Sequence, residues 1–344
     1  MIYSNVIAID LAKHVFQVCK ASQDGTVIYN RTYSRQKLKE LLVKEKTALI
    51  AMESCGGTHY WARFAREQGH EVKAIAARSV KPFRQGQKTD ANDAIAISVA
   101  ARQPHIHSSR LLSVAEQCQQ SIVRARDLLI NQKVKTSNHI RSLMLELGIA
   151  ITKGDKALKK AIPEILEDGE NDLTTGFRTT LKIMYQHFQV LLDEIETVSK
   201  QLNNEVAQDE ICQRLTSLEG VGPICAIQLK ITLDPMHYSK GREAAACIGL
   251  TPVQHSSGGK QKLGSISKRS THNALRSALF QGALAVVVNV EKKESRTYKD
   301  EWLKALIARR GKKVAAIALA NKTVRTAFAM IKHSQEYQPQ LLVA

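Results

Sequence analysis

Two short apolar runs, each ending on a carboxylate, constrain this chain more than any other feature. Val6-Ile7-Ala8-Ile9 leads into Asp10, and Ala48-Leu49-Ile50-Ala51-Met52 leads into Glu53. Unbroken apolar runs of this length read as strands buried on both faces. An acid at the end of such a strand sits where the chain leaves the core. Residues 14–20 and 26–33 read as two further strands joined at Gln23-Asp24-Gly25. Residues 36–44 read as a helix, 59–68 as a second helix stopped by Gly69, 71–76 as a fifth strand, and 91–102 as a third helix with Pro104 beyond it. Three strands, helix, strand, helix, strand, helix predicts a mixed α/β layer domain over residues 1–110.

The pattern then changes. Residues 113–148 are helical and polar. Residues 172–209 carry Leu181, Met184, Phe188, Leu191, Leu192, Ile195, Val198 and Leu202 at three- and four-residue spacing. Two long amphipathic helices predict a coiled-coil hairpin or helical interface over residues 111–210. Gly154, Pro163 and Gly169 mark residues 152–171 as a short connection. Residues 211–344 read as a third, helix-rich domain.

Charge narrows the partner. Lys plus Arg number 50 against 32 Asp plus Glu, a formal charge of +18, and a chain so basic meets a polyanion, nucleic acid before a membrane surface. No apolar run approaches the ~20 residues of a membrane helix, and the opening residues carry no basic region or cleavage site of a secretory leader. Cys19, Cys55, Cys118, Cys212, Cys225 and Cys247 form no C-x-x-C pair, so neither a zinc site nor a disulfide framework is expected. A reducing cytoplasm fits.

Asp90 and Asp93 open the third helix one turn apart and can face the same way. With Asp10 and Glu53 they form a set of acids at element ends on one side of the inferred sheet. Hard oxygen donors of this kind suit magnesium, and phosphoryl transfer is assisted by metals ~4 Å apart. The plainer reading is that Asp90 and Asp93 are a cap and a first-turn acid.

Farther on, Leu218-Glu219-Gly220-Val221-Gly222-Pro223 precedes a helix and resembles a helix–hairpin–helix, whose Gly220 and Gly222 would offer backbone N–H groups to a phosphate. A packing hairpin without a ligand is the alternative. Gly249-Leu250-Thr251-Pro252 is followed by His255-Ser256-Ser257-Gly258-Gly259, read as a flexible exposed loop. No acid occurs between Glu243 and Glu291, whereas Lys260, Lys262, Lys268, Arg269 and Arg276 do. Such a segment suits a phosphate backbone. A serine there can attack a phosphodiester if its proton is removed, although Ser-Gly loops are commonly linkers. Arg309-Arg310-Gly311-Lys312-Lys313 is a second basic cluster, for nucleic acid or simply solvated. There is no phosphate-loop motif for ATP.

Taken in order, V-I-A-I-D from Val6, M-E-S-C-G from Met52, K-T-D-A-N-D from Lys88, G-V-G at Gly220 and G-L-T-P at Gly249 resemble a DEDD transposase of the IS one-ten / eleven-eleven insertion-sequence family over nearly the whole chain. The resemblance implies an RNase H-like (RuvC-like) N-terminal domain holding Mg2+ on Asp10, Glu53, Asp90 and Asp93. It further implies a helical coiled coil, and a C-terminal transposase domain with Ser257 as nucleophile. It also implies donor and target DNA as substrates, a guide non-coding RNA, and a homo-oligomer, dimer or tetramer, that shares active sites between protomers. Ser256 beside Ser257 leaves one position of register to decide. Two other readings stay open: a hydrolytic junction-resolving nuclease using water, and a non-enzymatic nucleic-acid-binding scaffold.

Overall fold

The computed structural model describes residues 5–267, 270 and 272–342. The chain divides into two compact units, Met1–Glu116 and Gln117–Ala344. The basic residues Lys268 and Arg269 lie outside the described residues.

The first unit is built on β1 (Asn5–Asp10), β2 (Val15–Ser22), β3 (Val27–Ser34), α1 (Arg35–Lys44), β4 (Leu49–Glu53), α2 (Thr58–Glu67), β5 (Glu71–Ile75), α3 (Ala77–Val80) and α4 (Asp90–Arg102). The five strands form one sheet in the order β3-β2-β1-β4-β5. β2 runs antiparallel to β1 and β3, while β4 and β5 continue parallel to β1. This is the mixed α/β layer expected from the pattern. The unbroken apolar run of β1 has a direct cause: Ile7 and Ile9 pack with Phe16, Met52 and Trp61 beneath α1 and α2, and Val6 and Ala8 pack with Ala51 and Ile97 beneath α4. Each large side chain fully buried in this way contributes roughly 1.5–3 kcal/mol. Those contacts fix the register, because a slip of one residue would turn every side chain of β1 to the opposite face.

The second unit begins with α5 (Val114–Glu146), α6 (Asp155–Glu167) and α7 (Thr175–Ala207). The two 33-residue helices α5 and α7 are each about 50 Å long at 1.5 Å per residue. They run antiparallel: Gln119 Nε2 donates to Glu205 Oε2 (3.2 Å), and Arg126 Nε donates to Ser199 Oγ (2.8 Å). Ile140 and Met144 pack with Leu181 and Phe188. The expected connection over 152–171 is instead largely α6, which packs Leu158 and Ile162 into the same cluster. Pro163 sits inside this helix, where proline removes the bond to the carbonyl four residues back. That carbonyl is Lys159's, and the Tyr185 hydroxyl donates to it instead (3.1 Å). A tertiary hydrogen bond thus takes the place of the missing N–H, which local sequence cannot reveal.

There follow α8 (Glu210–Thr216), α9 (Pro223–Thr232), α10 (Gly241–Ile248), a hairpin of β6 (Pro252–Ser257) and β7 (Lys260–Ile266), then α11 (Asn273–Val290), α12 (Tyr298–Arg310) and α13 (Lys312–His333). By length and composition α11 and α13 are apolar enough to span a membrane. Here they pack together, burying Leu279, Val287, Leu319 and Val324 among other side chains.

Candidate active site and nucleic-acid surfaces

The register of the sheet brings the first two acids together. Ile9 pairs with Met52 across parallel β1 and β4, so Asp10 and Glu53 follow side by side, on strands ~4.8 Å apart. Both are half-buried. Helix α4 delivers the other two. Thr89 caps it, its side chain accepting from Asn92 N, and Asn92 Nδ2 donates to Gln87 O at 2.8 Å. A chain of amides ties the start of α4 to the sheet: Gln17, paired with Asp10 across β1 and β2, donates to Asn30 Oδ1 (2.6 Å), and Asn30 Nδ2 donates to Ala91 O (2.9 Å). Asp90 is exposed and Asp93 half-buried.

The four acids feel one another. Burial raises the Asp10 carboxyl to about 6, and the neighbouring charges of Asp90, Asp93 and Glu53 push in the same direction, with Lys88 opposing. Burial also raises Glu53, helped by Asp93 and opposed by Lys88 and Arg84. Arg84 Nη1 lies 3.4 Å from Asp93 Oδ1. Lys88 and Arg84 therefore belong to the site's electrostatics. Neither cation stands out in the sequence as a site residue, although Lys88 stands two residues before Asp90 in the same motif. An all-oxygen donor set with excess negative charge fits a hard divalent cation. Among the described residues no three acids, histidines or cysteines are already closed to ligating spacing. Arg84 meets only the Oδ1 of Asp93.

In the second unit, the glycine turn and the serine segment each differ from expectation. Gly220 has φ +81°, and a Cβ there would lie 2.7 Å from the Gly282 carbonyl oxygen of α11. Gly282 in turn admits no side chain, since its Cβ would meet Gly220 O at 1.9 Å. Gly220 thus lets two backbones touch, which is the packing alternative. Gly222 is different: it is the exposed N-cap of α9 with open space where a side chain would stand, and its backbone hydrogen-bonds the Cys225 side chain.

The expected serine loop is the end of a two-stranded hairpin. Ser257 pairs with Lys260 across Gly258 and Gly259, whose φ values are 54° and 77°. Two successive positive φ values define a type I′ turn, the tight turn that glycine permits. Residues paired directly across strands share a face. His255 pairs with Lys262 and Ser257 with Lys260, whereas Ser256 pairs with Gln261. Ser257 therefore shares a face with two lysines and a histidine. Ser256 is on the other, where Gln254 Nε2 donates to its Oγ (2.9 Å). Farther along, Arg309, Arg310, Lys312 and Lys313 are exposed at the junction of α12 and α13, and Lys312 is paired with Glu291 (2.6 Å).

Comparison with known proteins finds two family models along the chain. A family model described as transposase (DEDD, IS110) matches residues 7–149, the span holding all four acids. The model of the transposase IS116/IS110/IS902 family matches residues 212–300, the span holding Gly220, Gly222 and Ser257. A probable family 20 transposase of Pseudomonas aeruginosa is 37% identical over 97% of this chain and 98% of its own length. The transposase for insertion sequence element IS1111A of Coxiella burnetii is 33% identical over 97% of this chain and 91% of its own. That for IS1328 of Yersinia enterocolitica is 34% identical over 94% and 96%. The DEDD domain implies an RNase H-like fold, with which the five-stranded sheet agrees. The chain belongs to the IS110 family of insertion-sequence transposases.

Proposed function

We propose that this transposase cuts and rejoins DNA through a serine–DNA intermediate, with Asp10, Glu53, Asp90 and Asp93 as its metal ligands and Ser257 as its nucleophile. The observation that carries the reading is the placement of Asp10 and Glu53 side by side at the ends of adjacent strands, with Asp10 raised to about 6 by burial and by the charges of Asp90, Asp93 and Glu53. A partly buried group of like charges is unfavourable by itself and becomes favourable when a divalent cation enters. Magnesium bound there would neutralise charge developing on the scissile phosphate.

Ser257 Oγ attacks phosphorus, and its proton passes to a nearby acceptor. The Oγ–P bond forms as the bond from phosphorus to the leaving strand's oxygen breaks, and that oxygen takes up a proton. Attack by the hydroxyl of the exchanged strand reverses the sequence and frees Ser257. One phosphodiester replaces another, so no ATP is needed. Lys260 and Lys262, on the face of Ser257, are suited to hold the phosphate, as are Gly222 and the cluster around Arg310. The three-part division at residues 110 and 210, cytoplasmic location, guidance by a non-coding RNA and active sites shared within a dimer or tetramer belong to the same proposal. The exposed Leu128, Val134, Ile183 and Val190 of the helical hairpin favour the last of these. The test is single substitution of the acids. Asp10→Asn and Glu53→Gln should each abolish cleavage and retain DNA binding, and full activity in either variant would remove the four-acid site.

A further inference from the structure

The hairpin that carries Ser257 stands at the edge of a groove that the mechanism above does not use. Its volume is about 1130 Å³, beyond the ~300–1,000 Å³ typical of a small-molecule pocket. The floor is apolar, with Leu250, Ile266, Ile317 and Phe328 among its lining residues, and half-buried Trp302 also lines it, with the Lys322 ammonium 4.9 Å from its ring centre over one face and the other face left for a base. The rim is basic: Lys240, Arg242, Lys322, Arg325 and Lys332 all line it, and among the described residues no carboxylate does. Pro252 and Ile266, the first residue of β6 and the last of β7, close one side. The groove is therefore continuous with the foot of the serine hairpin.

An apolar floor inside a ring of cations selects a ligand that is anionic along one edge and flat and apolar along another. Duplex DNA presents phosphates outward and hides the faces of its bases. An unpaired strand presents both, its bases to aromatic and apolar side chains and its phosphates to lysine and arginine. A transposase that exchanges strands must also accommodate nucleotides that have left one duplex and not yet entered another. We infer that this groove holds a short run of unpaired DNA nucleotides beside the serine hairpin, with bases against Trp302 and the apolar floor and phosphates on Arg242 and Arg325. The inference rests on the DNA-recombining reading above. From Pro252 to Ser257 is five residues of strand, about 17 Å, so the held nucleotides lie some distance along the strand from the phosphate under attack.

The protein supplies its own reporter. It has two tryptophans, and Trp61 is buried in the first unit, so acrylamide quenching reads Trp302. A single-stranded oligothymidylate of about twelve nucleotides, within the usual range of single-strand sites, should shield Trp302 in the full-length wild-type protein. A blunt duplex of equal length should bind without shielding it. Arg242→Glu combined with Arg325→Glu, both on the surface, should weaken single-strand binding at least tenfold. It should also flatten the dependence of log K on log salt by about 1.4, since each lost phosphate contact removes ~0.7. If DNA binds and is cut while the single strand leaves Trp302 accessible, the groove assignment fails and the recombinase reading survives. Shielding by an acidic amphipathic peptide that single-stranded DNA cannot displace would make the groove a protein-docking site. If neither form of DNA binds, both readings fall.

Discussion

Asp10→Asn should stabilise the metal-free protein while abolishing its activity. The Asp10 carboxyl titrates near 6 in the folded chain against an ordinary 3.8, so folding favours its protonated form. A raised carboxyl imposes no penalty below about pH 4. The penalty grows as pH rises toward 6 and is complete above it. At 1.36 kcal/mol for each tenfold change in acidity, the full cost of the anion is about 3 kcal/mol. Asp10 is only half-buried, and solvent screening reduces the figure to roughly 1–1.5 kcal/mol. Asparagine is neutral at every pH and close in shape. Thermal unfolding in EDTA should therefore show the first unit of the variant melting roughly 4–6 °C above wild type at pH 8, with the gap closing by pH 4. Magnesium should raise the wild-type transition at pH 8, because a ligand that binds only the folded state stabilises it, and should do less for the variant. A variant less stable than wild type at pH 8, or a difference that ignores pH, would show that burial and the neighbouring acids do not disfavour the Asp10 anion.

Gly220→Ala should destabilise the C-terminal helices by about 2–4 kcal/mol, from a positive φ and overlap with the Gly282 carbonyl. Gly222→Ala, with open space, should cost only a few tenths and instead weaken DNA binding; chemical denaturation and a binding titration separate the two. Mixing an Asp10→Ala protein with a Ser257→Ala protein should restore cleavage if sites are shared between protomers, and inactive mixed oligomers would exclude sharing. Protein purified from its host should carry a short structured RNA, and recombination by RNA-free protein would exclude guidance.

Much of the first unit was legible because its signals are local. Val6–Ile9 and 48–52 are apolar without interruption since both sheet faces are covered, and acids after such runs stand out. The succession of strands and helices along the chain was readable from such local patterns, whereas the order of the strands within the sheet was not. What stayed hidden depends on contacts distant in sequence. Gly220 reads equally well as a phosphate turn or a packing turn until Gly282, sixty-two positions later, is seen against it. Pro163 reads as a helix breaker until Tyr185 is found bonding the carbonyl it frees. The serine segment reads as a loop because two glycines signal flexibility as readily as a type I′ turn. Only the pairing of Ser257 with Lys260 places the serine on the lysine-bearing face. Arg84 and Lys88 were missed because a cation near an acid in sequence does not reveal whether it faces the same point in space.

The central claim is that Ser257 becomes joined to DNA at a site that depends on the four acids. The direct measurement is to quench the wild-type protein with denaturant during reaction on its element ends, digest it, and map the nucleotide-bearing peptide by mass spectrometry. A magnesium-dependent adduct on Ser257 is expected, absent from Ser257→Ala and from Asp10→Asn, with Ser256→Ala still forming it. An adduct on Ser256 would contradict the face assignment, and cleaved DNA without any adduct would make water the nucleophile and this chain's chemistry that of a nuclease.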